Sequence, residues 1–298
     1  MKKVFGKQFS GIALRKGTEI SIGSLVVRPS PLMTDLRETV SILVVSCDRY
    51  ADLWDPFFRS LWEFWPDCPF RVYLLSNELR PQYSNVENIV IGHDSSWSDS
   101  LAKALSQLRN EYVFLHLDDL FPYKKIDTEK VLRLFSWAVA SGANYLRVNP
   151  SPEPDEPVNQ EIGRIARGAI YRTSTVLSLW NRNALLNLLD PHESAWEFEV
   201  YGSVRSDCYD HFYASKEITV PVINGVIKGK WQRSAVRALR KLGFNPDLSR
   251  RPLMGLRETL LFKVKQVRSF LLQCCPSRYR RQIKDFVLRV PYSYASKF

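Results

Sequence analysis

Tyr112-Val113-Phe114-Leu115-His116-Leu117-Asp118-Asp119-Leu120-Phe121 is the stretch on which the reading of this chain turns. Its first half is a mostly apolar run of strand length, the pattern of a strand buried on both faces. The run ends directly in two adjacent carboxylates. A buried strand closed by paired acids sets two negative charges at the carboxyl edge of a sheet, where open α/β sheets bind their ligands. Adjacent carboxylates repel unless a cation, a hydrogen-bonding sugar or a basic side chain offsets them. Hard oxygen donors of this kind suit Mg²⁺ or Mn²⁺ holding a phosphorylated ligand. Asp is equally at home in a turn or a helix cap, so the pair alone leaves both readings open.

The neighbouring segments repeat the strand's logic. Val40-Ser41-Ile42-Leu43-Val44-Val45-Ser46 is a second continuous apolar run, followed by Cys47-Asp48-Arg49-Tyr50 and a helical pattern through Leu53, Phe57, Leu61 and Phe64. Residues 70–76 predict another strand, closed by Asn77, and residues 89–91 a third before Gly92. Residues 97–109 place Leu101, Leu105 and Leu108 on one helical face. Beyond the acids the pattern predicts a helix over 128–140, a strand over 145–149, a Pro- and acid-rich loop over 150–160, and a helix over 174–189. Strands alternating with helices imply a parallel sheet with right-handed crossovers. No Gly-rich loop follows any strand, which disfavours P-loop and dinucleotide-binding readings.

Composition sets the outer bounds. A chain of 298 residues has room for one large α/β domain and a smaller appendage. An apolar fraction of 45% with eight Trp excludes general disorder. No run of 18 apolar residues offers a spanning helix, and Met1-Lys2-Lys3 is not followed by the apolar region of a signal peptide. Five cysteines without CxxC pairs fit reduced thiols in a cytoplasm. Arg28-Pro29-Ser30-Pro31 closes an N-terminal extension, giving a division into 1–36, a core over 37–231 and a tail over 232–298. Charge follows that division. From residue 226 onward there are 18 Lys and Arg against Asp247, Glu258 and Asp285, a balance of +15, while residues 1–225 carry −4. Two basic amphipathic helices are expected in the tail, one through Leu256, Leu260, Val264, Val267 and Leu271, the other through Tyr279, Ile283, Phe286, Val287 and Val290. Such a tail seeks a polyanion, and its apolar faces favour an anionic membrane surface over nucleic acid; packing on the core is the plainer alternative.

A parallel sheet brings four loops to one edge: 47–50, 76–77, 94–99 and 118–119. There Asp48, Asn77 and the Tyr50 ring can hold a nucleobase and ribose by hydrogen bonding and stacking. His93 and His211 have no metal-site spacing. Asn224-Gly225-Val226-Ile227-Lys228-Gly229-Lys230-Trp231 is a flexible basic loop whose Lys228 and Lys230 can reach a diphosphate, or simply lead into the tail.

Over roughly residues 38–230 these motifs resemble the nucleotide-sugar glycosyltransferases of the GT-A fold. The resemblance rests on the strand–loop from Ser41 to Arg49, on His116-Leu117-Asp118-Asp119, and on Trp196-Glu197-Phe198-Glu199. It implies a Rossmann-like, mostly parallel sheet flanked by helices, with the basic helical tail appended at the C-terminus. Cys47, Asp48, Arg49 and Asn77 would then contact the nucleotide. Asp118 and Asp119 would stand for the acidic motif that holds ribose and a metal–diphosphate, with Mg²⁺ or Mn²⁺ as the metal and His116 where the usual motif has its first acid. The implied activity is transfer of a sugar, from a UDP-linked donor, to a saccharide or polyprenol-linked acceptor in surface-polysaccharide assembly on the cytoplasmic face of a membrane. An inverting transfer needs a carboxylate to take the acceptor proton, and the resemblance puts it at Glu197 or Glu199. Ser194-Ala195-Trp196-Glu197 fits a capping box that would occupy Glu197, which favours Glu199. Trp196 is a candidate acceptor platform, with a core position as the alternative. The rivals are a sugar nucleotidyltransferase on a similar sheet and a non-catalytic protein docking on membrane or RNA.

Overall fold

The computed structural model describes residues 36–273, 275 and 279–283. The N-terminal extension and most of the second tail helix lie outside those residues. Strand β1 (Val40–Val45) is buried along its whole length and lies between β2 (Arg71–Ser76) and β4 (Tyr112–Leu117), both parallel to it. β3 (Val86–Val90) extends this parallel group beyond β2. The chain thus runs outward from β1 through β2 to β3, then returns to add β4 on the other side of β1. That reversal creates a topological switch point between the carboxyl ends of β1 and β4.

Helices cover both faces. α1 (Ala51–Phe64) buries Leu53, Trp54, Phe57, Phe58 and Leu61, and with α3 (Thr128–Ala140) packs one face of the sheet around Ile42, Val44, Phe114 and Phe121. α2 (Trp97–Gln107) covers the other face, setting Leu101, Ala104 and Leu105 against Leu43, Leu75, Val113 and Leu115. Its N-terminus is capped by Ser96, which accepts from Asp99 N at 3.0 Å; α3 is capped by Asp127, which accepts from Lys130 N at 3.0 Å. The period-two alternation of β4 therefore feeds two separate apolar layers, which is why the run reads as continuously hydrophobic.

The second half of the nine-stranded sheet is mixed. Its order is β3-β2-β1-β4-β9-β6-β10-β8-β7, with β6 (Tyr145–Arg147), β7 (Glu156–Pro157), β8 (Ile162–Arg164), β9 (Ser178–Asn181) and β10 (Phe212–Ser215). β9 lies antiparallel to both β4 and β6. The helix expected over 174–189 is thus mostly not one: the helix is α4 (Arg182–Leu188), and Ser178-Leu179-Trp180 is strand, buried on both faces. Four residues with no exposed face give no period to read. The α/β expectation, a mostly parallel sheet with flanking helices, is met.

The segment after β10 returns to the switch point. β5 (Leu120–Pro122) pairs with β11 (Val222–Asn224), and β12 (Val226–Ile227) forms a hairpin with β13 (Lys230–Trp231). Lys228 and Gly229 at its tip have φ of 48° and 76°, the left-handed pair that a two-residue hairpin turn needs. Gly225 donates to the Asp119 carbonyl at 2.7 Å, and a Cβ there would collide with the Phe121 ring. Beyond residue 231 the chain keeps contributing to the core. α5 (Ala195–Glu197) and α6 (Ser203–Arg205) are short; α7 (Arg233–Lys241) inserts Val236 and Leu239 into the layer under α1, followed by Phe244. Among the described residues α8 (Leu256–Gln273) is the helix that stands with an apolar stripe in solvent, Leu256, Leu260, Val264, Val267 and Leu271 each more than half exposed. No helix among the described residues is long and apolar enough to cross a membrane.

Leu239 is fully buried at the junction of α7 and the core. Leu239→Ala should lower stability by about 2–5 kcal/mol, the range for emptying such a site. Urea unfolding followed by Trp fluorescence reads this directly; a loss under 1 kcal/mol would mean that α7 is not part of the folded core.

Candidate active site

The register of β1 and β4 sets Val45 beside Leu117 and so brings Ser46 level with Asp118. The Ser46 hydroxyl donates to Asp118 Oδ2 in a short hydrogen bond, while Trp54 Nε1 donates to Ser46 Oγ at 2.6 Å. Asp118 is 5% exposed. Burial, together with the neighbouring Asp119 charge, pushes its carboxyl well above the ordinary range. Burial likewise pushes Asp119 up to about 6. Asp119 Oδ1 is buried with no hydrogen-bond partner among the described residues. Such an atom is expensive to leave unmatched, and it points to a ligand that meets it.

His116 is not part of this group. It is fully buried, edge-on to Phe57 with ring centroids 5.0 Å apart, and its Nε2 meets the Leu120 carbonyl at 2.9 Å. Burial holds it down to about 4, so it is neutral at physiological pH.

The nucleoside candidates are brought to the same edge but are heavily bonded. Asp48 Oδ1 accepts from Asn77 N at 2.9 Å, and Asp48 Oδ2 accepts from the backbone of Glu78 (2.9 Å) and Leu79 (3.2 Å). Asn77 Oδ1 accepts from Asp48 N at 3.2 Å, and its amide donates to Gly92 O and Asp94 Oδ1, both at 3.1 Å. These two side chains tie the loops after β1, β2 and β3 together and so shape the wall of the cleft. Cys47 is half-buried, its thiol pushed up by burial, and Arg49 is exposed.

A residue that sequence reasoning missed supplies the local positive charge. Arg251 is 8% exposed, and its Nε and Nη2 meet the two oxygens of Asp52 at 3.1 and 2.9 Å. Its guanidinium lies 4.4 Å from the centre of the Tyr50 ring and donates to the carbonyls of Gly229 (3.3 Å) and Arg49 (3.4 Å). It is in electrostatic reach of both Asp118 and Asp119, and holds down what burial pushes up. Nothing distinguishes Arg251 within a basic tail; its partner Asp52 is 199 positions away. The two lysines expected in this role lie on the β12–β13 hairpin. Lys230 Nζ is 2.6 Å from Glu258 Oε1 of α8, and Lys228 is exposed at the hairpin tip. Alternation along the short strand turns Lys230 toward α8, and the cation that faces the acids is Arg251.

The remaining carboxylates lie further along the edge. Ser194 and Glu197 form the capping box: Ser194 N donates to Glu197 Oε2 at 2.8 Å, and Glu197 N to Ser194 Oγ at 3.4 Å. Ser194 Oγ also donates to Glu197 Oε2 at 2.7 Å, and this bond, with the one from Ser194 N, holds the Glu197 carboxyl below its usual range. Glu199 sits in the π-helical turn Phe198–Gly202, a geometry frequent at functional sites. Its Oε1 accepts from Ser174 Oγ (2.9 Å), Thr175 N (3.0 Å) and Thr175 Oγ1 (3.2 Å), all on the one oxygen. Trp196 is 68% exposed, whereas Trp180 is core. Glu199's partners precede β9, the strand hydrogen-bonded directly to β4, at a strand spacing of about 4.8 Å.

Among the described residues no group of three or more His, Cys, Asp or Glu is assembled to hold a metal. Two carboxylates with one oxygen unmatched still suit Mg²⁺ or Mn²⁺, which binds through one or two carboxylates and completes its shell with phosphate oxygens and water.

No protein-family model matches the chain, and no curated protein matches it. Among solved structures it is similar to a mannosyltransferase from Pyrobaculum calidifontis, PcManGT, in complex with GDP-Man and Mn²⁺ (12% identity, 87% of this chain and 74% of that one, TM-score 0.46). It is also similar to S. aureus TarS 1-349 (13% identity, 60% of either chain, TM-score 0.41) and to the same protein in complex with UDP-GlcNAc (11% identity, 68% and 65%, TM-score 0.41). The chain spans less than two thirds of the TarS structures it matches.

Two buried groups here titrate in one window with opposite effects. His116, held down to about 4, stabilises the fold above its unfolded value near 6.5 and loses that contribution as pH falls toward 4. Asp119, raised to about 6, costs stability above 6 and stops doing so as pH falls toward its unfolded value. Asp119→Asn should therefore raise the melting temperature by a few degrees at pH 7.5, with the gain vanishing near pH 4. Its acid destabilisation between pH 6.5 and 4 should be steeper than that of the wild type. A variant less stable than wild type at pH 7.5 would contradict the uncompensated-charge account.

Proposed function

We propose that this protein is a nucleotide-sugar glycosyltransferase that moves a sugar from a nucleoside diphosphate donor, a UDP-sugar in the first instance, to a saccharide hydroxyl, inverting at C1. The observation that carries the reading is the Asp118–Asp119 pair at the β1/β4 switch point, Asp118 buried, one Asp119 oxygen buried and unmatched, and Arg251 beside them. A diphosphate-linked donor needs that combination of oxygen donors for a cation and a fixed positive charge. The cleft wall built by Asp48, Asn77 and the loops after β1 and β2 would receive the nucleoside, with Cys47 and Arg49 at its rim and Tyr50 offering the ring face not covered by Arg251. Ribose would bond to Asp118 or Asp119. A divalent cation bound by these acids would neutralise charge on the departing diphosphate.

The chain's own groups then perform the transfer. Glu199, anchored through Oε1, presents its other oxygen to the acceptor hydroxyl and takes the proton as the acceptor oxygen bonds to C1 and the C1–O bond to the diphosphate breaks. Glu197 is spent on its capping box and serves the fold of this turn. Trp196 offers an exposed face for the acceptor sugar. Arg251, held by Asp52, meets the diphosphate charge, and Lys228 at the hairpin tip adds to it. The acceptor would be presented at an anionic membrane, where the stripe of α8 inserts and exposed Arg257 and Lys263 meet lipid headgroups.

Thermal-shift titration of UDP- and GDP-sugars with and without Mn²⁺ tests donor binding. Asp118→Ala should weaken the donor at least tenfold and abolish the Mn²⁺-dependent stabilisation; wild-type affinity in that variant would remove the assignment. Glu199→Gln should keep donor affinity and lose transfer by about 10²–10⁴-fold; retained transfer would exclude it as the base. For the membrane, Leu260→Glu with Val264→Glu should abolish co-flotation with phosphatidylglycerol vesicles and leave turnover of a soluble acceptor intact; unchanged flotation would exclude α8 as the contact.

A further inference from the structure

Arg147 ends β6 and is 2% exposed, yet no carboxylate among the described residues is in ion-pair contact with it. Its Nη1 donates to the Tyr171 carbonyl at 3.2 Å, while Nε and Nη2 are buried without partners among the described residues. A buried guanidinium with two unmatched nitrogens is costly, and some compensating role is expected of its surroundings.

What Arg147 touches leads to Glu199. The next residue, Val148, donates from N to the Leu177 carbonyl at 3.1 Å. The end of β6 therefore grips both ends of the segment 171–177. Tyr171 and Leu177 have φ of 50° and 44°, the left-handed region that non-glycine residues enter only when the structure around them enforces it. Between these two bends lie the groups that hold the turn carrying Glu199. Thr173 bonds to Phe198 O (3.3 Å) and through N to Ser203 Oγ (3.1 Å), and Ser174 and Thr175 supply all three donors to Glu199 Oε1.

Charge points the same way. The anionic groups in electrostatic reach of Arg147 are Glu199 and Asp155, with the Tyr145 hydroxyl as a third neighbour. Burial pushes Tyr145 up to about 12, so it is neutral. Asp155 is engaged by Ala166 N at 2.9 Å and faces Arg280 at 3.6 Å. Glu199 is left as the charge that balances Arg147.

We propose that Arg147 is the positioning residue of this site: it clamps the bent segment 171–177 so that Ser174 and Thr175 fix Glu199, whose carboxylate in turn balances the buried guanidinium. The proposal rests on the reading of Glu199 as base for its catalytic meaning, and on geometry alone for the clamp. Arg147 acts through the segment and not on substrate, so its loss should lower kcat and leave the donor KM unchanged.

Hydrogen exchange and melting of the full chain, without ligand, test the clamp. In Arg147→Met the Thr173 and Thr175 amides should exchange at least tenfold faster, with β1 and β4 amides unchanged. Glu199→Gln should lower the melting temperature when Arg147 is present and have little effect in the Arg147→Met background. Arg147→Lys, which keeps the charge and loses the planar fork, should loosen Thr175 while preserving the penalty of Glu199→Gln; it decides the matter if the Met variant does not fold. Wild-type Thr175 exchange in the variants that fold, or additive melting shifts, would overturn the proposal. If instead Glu199→Gln retains sugar transfer, the base reading falls and the clamp stands on the exchange data.

Discussion

The parallel pairing of β1 with β4 is the constraint on which the site depends. β1 is buried from end to end and β4 through His116, and their register places Val44 beside His116 and Val45 beside Leu117. Ser46 and Asp118 then meet as the first polar pair beyond the sheet, with Trp54 of α1 bonded to the same hydroxyl. A slip of one residue would turn His116 out of its aromatic pocket and the acids away from the cleft. The apolar layers on both sides make that slip prohibitively unfavourable. They thereby hold two mutually repelling carboxylates where neither would settle on its own energetics.

The other half of the sheet solves a different problem. Parallel strands deliver only their following loops to the carboxyl edge. Because β9 runs antiparallel between β4 and β6, it delivers the segment that precedes it, residues 174–177, to that same edge. This is how Ser174 and Thr175 come to face Glu199, and why a strand of four residues changes the chemistry available beside the acids. The strained bends at Tyr171 and Leu177 are the local consequence of turning a chain so tightly into an antiparallel strand.

What was legible in the sequence follows from range. The strands β1, β2 and β4 were readable because long apolar runs have few other uses. The capping box was readable because Ser194 and Glu197 satisfy each other within one turn, and that local rule separated Glu197 from Glu199 in advance. The strand Ser178–Asn181 was not, since its residues are buried on both faces and too few to show a period. Nor was Arg251, whose meaning lies in Asp52 and Tyr50 some two hundred positions earlier. The pairing of Lys230 was hidden for the same reason: its partner Glu258 begins a helix whose docking no short pattern reveals.

These pairings also change what the charge asymmetry of the chain means. A body at −4 and a tail at +15 suggest a tail meant entirely for an external polyanion. Part of that excess is instead consumed internally, with Arg251 on Asp52, Arg280 on Asp155 and Arg281 on Asp207, each joining tail to body. Lys230, just ahead of the tail, is paired with its Glu258. The paired cations lie where the tail touches the body, and one of them completes the acidic site. Arg237, Arg240, Lys241, Arg257 and Lys263 are exposed on α7 and α8. The apolar stripe of α8 lies among them, so the charge that remains for a partner is concentrated where uncovered hydrophobic surface also lies. One inward cation of the tail, Arg251, thus lies beside the acids, while its exposed ones gather around an uncovered apolar stripe.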